Sequence, residues 1–374
     1  MRRSARRPFL LLLLAAAACA GRANSSAIEP AAPALSPADF GALVQRLSEP
    51  GGFFASDNLV SNETSYLHVL GRMQDLGVRG GAYLGVGPDQ NFSYIAAVRP
   101  DIVFLIDIRR DNLLQHLLFK AVFELSRNRV EYLCLMTGKP VPDDLASWDQ
   151  ADIADILALV HATPSDAKVL EATLKRVREA VVRYGIPLDE SDLTQIQRIH
   201  IAFFEYGLDT RYSNRGRSNY PNWGQLILQT DLEGARRHYL ASEATFQYVK
   251  DLERRNLMIP VTGDLGGPHA LAAVGQEIRA RGLTISAFYT SNVEQYLFQG
   301  PGFDTFAQTV TRLPFTDTSV IIRSYFRGRH PLNVPGHMST QLLEQFQTFV
   351  GEARSGGYRS YTELVSKHVL VLRK

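Results

Sequence analysis

The chain has 374 residues, 45% of them hydrophobic, with 40 Lys plus Arg against 38 Asp plus Glu. That is enough chain and apolar content for one large α/β domain, or for a domain carrying an insertion, and it argues against intrinsic disorder. The formal net charge of +2 becomes about −2 once Arg2, Arg3, Arg6 and Arg7 of the leader are set aside, so no basic surface recommends nucleic acid as a partner.

Residues 1–18 read as an export signal: a basic head, the apolar core Leu10 to Leu14, then Ala15 to Ala18. The apolar run is too short for a comfortable membrane span. Arg6-Arg7-Pro8-Phe9-Leu10 has the twin-arginine export pattern. Ala16-Ala17-Ala18-Cys19 resembles a bacterial lipobox, which implies cleavage before Cys19 and a lipid on its thiol. Ordinary signal cleavage nearby and an organellar presequence are the alternatives. Residues 19–38, rich in Ala, Pro and Ser, form a flexible tether in this reading. The expected place is then the bacterial cell envelope, with the lipid as the membrane contact; a soluble periplasmic or organellar protein is the fallback. Cys134 is the other cysteine, and its apolar surroundings suit a buried thiol.

Residues 39–140 read as the first half of a Rossmann-like domain. Helices are expected over Phe40 to Leu47 and Tyr66 to Met73, then a strand over Ala82 to Leu84 with a turn starting at Gly85. A helix over Phe92 to Val98 and a buried strand over Ile102 to Ile106 follow. Asp111 is placed to cap the next helix, and Val130 to Met136 reads as a third strand. Residues 141–255 read as helical, over Ile153 to His161, Val169 to Tyr184, Leu193 to Phe204 and Leu232 to Arg255. This block is taken as a helical insertion capping one edge of the sheet, with a separate helical domain as the alternative. Within it, Tyr212 to Trp223 is a polar, aromatic loop that includes Asn214, Arg215 and Arg217. Residues 256–374 supply the second half: strands at Met258 to Thr262, Leu283 to Tyr289, Ser319 to Tyr325 and Val369 to Leu372. Pro268 would open one helix, and Leu342 to Val350 would form another. The sum is a doubly wound, mostly parallel sheet of about seven strands.

The stretch from Gly81 to Asp89, answered by Val103 to Asp107, carries the chemistry. Gly85 and Gly87 leave backbone N–H groups bare before a helix, and Asp107 ends an apolar strand roughly 20 residues on, where an acceptor for ribose hydroxyls is needed. The structural alternative is a tight turn plus an acid bonded to the next helix. A third glycine is missing, since position 90 is Gln90, and the Asp89 carboxylate would repel a phosphate. S-adenosylmethionine suits this loop better than a dinucleotide: it has no phosphate and carries two cationic groups, which Asp89 or Glu63 could face.

Four segments carry a resemblance: Asn58-Leu-Val-Ser-Asn-Glu-Thr64, Tyr83-Leu-Gly-Val-Gly-Pro-Asp89, Phe104-Leu-Ile-Asp-Ile-Arg-Arg-Asp111 and Tyr289-Thr-Ser-Asn-Val-Glu-Gln-Tyr296. On these the chain resembles class I methyltransferase-like proteins, and more narrowly a largely bacterial family of uncharacterised proteins, some of them exported lipoproteins. The resemblance implies a methyltransferase-like Rossmann fold. Tyr83 stands where methyltransferases usually carry an acid, and Asp89 where they carry a third glycine.

Asp264 after a later strand, with His269 beyond it, is the candidate acid/base pair; helix capping by Asp264 is the alternative. Tyr289, Ser291, Asn292 and Glu294 form a candidate ligand-binding rim, with Tyr66 and Tyr296 as further aromatic walls. His330 and His337 lack persuasive partners for a metal, and no HExxH, P-loop or GxSxG motif occurs. Two functions follow: an S-adenosylmethionine-dependent methyltransferase, or an envelope lipoprotein that uses the same fold to bind a small molecule or an envelope protein without catalysis.

Overall fold

In the computed structural model, which describes residues 32–213, 219–326 and 330–372, six strands form one mixed sheet in the order β3-β2-β1-β4-β5-β6. The strands are β1 (Ala82–Gly85), β2 (Ile102–Asp107), β3 (Met258–Thr262), β4 (Ile285–Ser291), β5 (Phe315–Tyr325) and β6 (Thr340–Gln345). All neighbouring pairs from β3 to β5 are parallel, and β6 runs antiparallel to β5. β1 to β4 are buried along nearly their whole length, as the unbroken apolar runs require. The export signal, Cys19 and the tether as far as residue 31 lie outside the described residues, as do Asn214, Arg215 and Arg217.

The helices before and between the first strands are α1 (Pro37–Leu47), α2 (Leu70–Asp75) and α3 (Gln90–Val98). Between β2 and β3 come α4 (Arg110–Leu125), α5 (Arg129–Met136), α6 (Ile153–Ala162), α7 (Ala167–Val181), α8 (Glu190–Tyr206), α9 (Trp223–Ile227) and α10 (Glu243–Arg254). After β3 follow α11 (Ala270–Ala280), α12 (Val293–Leu297), α13 (Gly302–Val310), α14 (Phe346–Arg354) and α15 (Tyr361–Ser366).

Several expectations are corrected. Val130 to Met136 is not a strand but most of α5, so Met258–Thr262 is the third strand and the helical block lies between the second and third. The side chain of Asn128 accepts the Glu131 amide and starts this helix, and all eight of its residues are buried. A helix buried on every side shows no amphipathic stripe and imitates a buried strand. The sheet has six strands rather than seven. Thr340–Gln345 is a strand, and the following helix begins at Phe346 rather than Leu342. Val369 to Leu372 is not a strand; Leu370 makes one backbone bond to the Leu343 carbonyl. The last helix of the block starts at Glu243, not Leu232. Pro268 stands outside α11, whose N-cap is His269, and Asp111 is exposed in the first turn of α4, whose N-cap is Arg109.

The start of the described chain guards an edge. Ala32 is buried, Leu35 donates its amide to the Arg255 carbonyl, and Glu49 donates to the Thr262 carbonyl. Between these ties α1 packs on β3 and covers an otherwise open strand edge. Residues 32–38 therefore belong to the folded body, the last two as the start of α1, although their composition continues that of the tether.

The far side of the sheet is joined by a buried ion cluster. Arg323 on β5 donates from Nε to Glu294 (2.8 Å) and from Nη1 to Glu344 on β6 (2.6 Å). Tyr358 donates its hydroxyl to the other Glu344 oxygen at 2.8 Å. Replacing the cation would leave two carboxylates buried without a counter-charge. Arg323→Met is expected to lower the unfolding free energy by about 3–5 kcal/mol in urea denaturation; a loss under 1 kcal/mol would refute this role.

Candidate functional site

The strand order reverses on either side of β1, and in such sheets ligands sit beyond the carboxyl ends of the strands at that point. A hollow of about 750 Å³ lies there. Val86, Gly87 and Pro88 reach it from β1, Asp107 to Arg109 from β2, Gly263 to Leu265 from β3, and Ser291 to Val293 from β4. The loops after these four strands meet at one cavity, and its size falls in the small-molecule range.

The glycine bend divides its two glycines between different tasks. Gly87 takes φ +80° and lines the hollow. Gly85 does not line it: a Cβ there would come within 2.0 Å of Asn91 Oδ1, so this glycine makes room for a side chain rather than a ligand. Asn91 Nδ2 then donates to the Val86 and Pro88 carbonyls, each at 2.8 Å, while its Oδ1 accepts the Tyr83 hydroxyl at 2.9 Å. His116 on α4 closes the bend by bonding Gly87 O through Nε2 (2.9 Å), and burial pushes its pKa down to about 4.

Asp89 faces away from the hollow. Its carboxylate accepts the Trp223 indole N–H at 2.9 Å and the Tyr239 hydroxyl at 3.4 Å, tying α3 to the helical block. Burial pushes its pKa up to about 6, against the pull of those two hydrogen bonds. It is therefore a packing residue here, not one that meets a ligand cation.

Asp107 does reach the hollow, but it is engaged by its neighbour. Arg109 donates from its amide (2.9 Å) and Nε (3.1 Å) to Oδ1, and from Nη2 to Oδ2 (3.1 Å). Its Nη1 donates to the carbonyls of Ser56 and Asp57, so one guanidinium neutralises Asp107 and holds the loop after α1.

Glu63 is the buried acid of the site. It is 1% exposed, lines the hollow, and accepts from Tyr289 Oη (2.7 Å), Ser291 Oγ (2.7 Å) and Gln341 Nε2 (2.8 Å). Burial raises its pKa, and these hydrogen bonds oppose the rise. None of the three donors is charged, and among the described residues no cation pairs with it. Gln90 donates from Nε2 to Tyr289 Oη at 2.7 Å, which leaves its Oε1 without a partner. Ser291 holds φ +53°, a strained conformation for a residue with a Cβ, and its side chain is fixed on Glu63.

The remaining candidates separate. Asn292 and Asp264 line the hollow; Asp264 also accepts the Gly266 amide at 2.9 Å. His269 does not line it, being exposed with its ring bonded to the Arg46 carbonyl at 3.0 Å. The expected Asp264–His269 acid/base pair is thus not assembled. Glu294 is fully buried in the Arg323 cluster and takes no part. Tyr289 and Tyr296 line the cavity, whereas Tyr66 is buried elsewhere and bonds the Leu226 carbonyl. Arg109, Gln90 and Phe53 were not foreseen. Two glycines ahead of Phe53-Phe54 were a signal for the last, since Phe53 stands 85% exposed at the hollow.

Asp89 makes a sign-definite prediction. Its folded-state pKa lies above the ordinary 3.8, so its stabilising protonated form is fully present below about pH 4 and is lost as pH rises through about 6. Asp89→Asn is expected to gain stability relative to the parent across that window, by on the order of 2–3 kcal/mol at pH 8. Urea titrations at pH 4 and pH 8 that return the same difference between the two proteins would overturn it.

A model of the family described as Domain of unknown function (DUF7790) matches residues 59–184 and 209–370, and the chain belongs to that family. No curated protein matches the chain. Glu63, Gly87, Asp107, Asp264 and Ser291 fall inside the matched residues, whereas Phe53 and Phe54 precede them.

Proposed function

We propose that this member of the DUF7790 family binds S-adenosylmethionine in the hollow beside β1 and uses it for methyl transfer to a small molecule. The observation that carries this reading is the shared cavity itself, where the Gly87 bend and Asp107 meet walls bearing Glu63, Asp107 and Asp264 against one lining cation among the described residues, Arg109. Such walls oppose a pyrophosphate, and Pro88 removes one of the N–H groups that an anion at the start of α3 would use. A ligand with a sulfonium and an ammonium suits them. In doubly wound sheets ligands sit at such a switch point, which supports a cofactor here.

In this reading Gly87 allows close backbone approach, Asp107 faces the nucleoside hydroxyls, and Glu63 faces the ammonium. Gly85 and Asp89 are occupied by the protein and are not part of the site. When bound, the cofactor supplies a methyl group activated by positive sulfur. The walls fix the orientation of the ligand's charged end.

A second reading is favoured by a specific observation: Asp264 and His269 do not converge, and Asp107 is already paired with Arg109. On that view the chain is an exported envelope lipoprotein, lipidated at Cys19, that binds a small molecule or an envelope protein without catalysis.

Calorimetry of the purified chain with S-adenosylmethionine and S-adenosylhomocysteine is expected to give saturable binding. Glu63→Gln should weaken the affinity by roughly 10- to 100-fold, the range for a hydrogen bond to a charged group, with an unchanged circular dichroism spectrum. Absence of saturable heat for either compound removes the adenosyl reading. Methyl-labelled cofactor with a panel of small acceptors then separates the two functions: label in a small product supports transfer, and tight binding without transferred label supports the binding protein. In a bacterial host, labelled palmitate should enter the full chain and not Cys19→Ala; equal labelling of both would exclude the anchor.

A further inference from the structure

We propose that the mouth of this hollow is a subsite for an organic cation, an ammonium or guanidinium group carried on a flat apolar body. The inference rests on the chemistry of the walls and does not require the adenosyl cofactor. Aromatic rings reach the hollow from four separate parts of the chain: Phe53 and Phe54 after α1, Tyr212 and Tyr220 between α8 and α9, Tyr296 on α12 and Phe326 after β5. Phe54 meets Tyr296 edge to face at 5.1 Å, and Tyr212 meets Tyr220 in the same way at 5.0 Å. Phe53 is 85% exposed, so it serves no core and presents a ring at the cavity entrance.

Behind this collar stand two carboxylates without a cation and one amide oxygen without a donor. Glu63 and Asp264 line the hollow, and neither has a cationic partner among the described residues. The Tyr289 hydroxyl donates to Glu63 and must therefore accept from the Gln90 amide nitrogen. That polarity fixes which end of the Gln90 amide is left over: Oε1, an acceptor without a partner on a side chain only 5% exposed. Arg109, the lining cation among the described residues, has Nε, Nη1 and Nη2 all engaged by Asp107 and the Ser56 and Asp57 carbonyls. An anion would meet those carboxylates, and the one lining cation among the described residues is already engaged. A neutral apolar ligand would leave the acceptors unpaired. A cation satisfies both walls, its charge on the acceptors and its body against π faces.

The test uses three probes that share one ring and differ in charge: benzylamine, benzyl alcohol and benzoate, titrated into the full chain at neutral pH by saturation-transfer NMR. Benzylamine is expected to bind at least tenfold more tightly than benzyl alcohol, with no transfer to benzoate. Glu63→Gln should bring benzylamine to the level of the alcohol, and Phe53→Ala, at an exposed position where folding is not at risk, should weaken it severalfold. Equal binding of benzoate and benzylamine, or unchanged benzylamine affinity in both variants, overturns the proposal. Saturable adenosyl binding with no preference for benzylamine would sink this subsite and leave the cofactor reading intact; the converse pattern would do the reverse.

Discussion

Burying a carboxylate with no cation beside it is among the most expensive acts a fold performs, and Glu63 is such a carboxylate. Its cost is offset by three neutral donors that come from β4 and β6, with a fourth side chain, Gln90 of α3, behind Tyr289. The segment before α2, the first crossover helix, a central strand and the antiparallel edge strand are therefore held in one mutual geometry. The hollow is what remains between them. Ser291 accepts a strained backbone to deliver its hydroxyl to this centre, which is the pattern expected where a site, rather than a turn, sets the conformation.

The loops after β1 and β2 each have a local lock, and each lock consumes a residue that looks functional in the sequence. Asn91 fills the space that Gly85 leaves open, so the bend is rigid before any ligand arrives. Arg109 folds back on Asp107 and also reaches the loop after α1, coupling an acid at the end of β2 to the rings at the entrance. Asp89 is drawn into the helical block by Trp223 and Tyr239. That contact explains why the long connection between β2 and β3 belongs to the architecture of the site: it anchors the start of α3 from the opposite side.

The central sheet was legible because its strands are short unbroken apolar runs ending at glycine or at a polar residue, and that pattern is local. Met258–Thr262 was placed to the residue. The errors share a cause, which is that burial by tertiary structure erases periodicity. Val130 to Met136 is surrounded by other helices, so nothing in its own spacing separates a helix from a strand. In β6, Gln341 and Glu344 interrupt the apolar run, and they are tolerated because Ser324 and Arg323 lie across the ladder. Those partners are close in the sheet but not in sequence. Of the candidate residues, Gly87, Asp107, Tyr289, Ser291, Asn292 and Asp264 lie at or just after strand ends, and with Glu63 they line the hollow. Glu294 and His269 follow strand ends too, but their side chains are held by Arg323 and by the Arg46 carbonyl: position along the chain does not say whether a side chain turns toward the cavity or toward a partner in the protein.

The charge pattern of the hollow also constrains how occupancy and protonation act on one another. Glu63 is pushed toward its neutral form by burial and toward its charged form by its donors, so it sits between two opposing influences. A cation arriving at the site would add to the second and favour the carboxylate. A proton on Glu63 would do the opposite and would also disturb the order of donors that runs from Gln90 through Tyr289. Ligand and proton thus compete for one buried oxygen pair, and linkage requires that whatever binds there as a cation be held more weakly as the acid protonates. A glutamate satisfied by neutral groups in place of a salt bridge keeps its charge open to such a cation. An internal cation would have stabilised the charge permanently and left nothing for a ligand to complete.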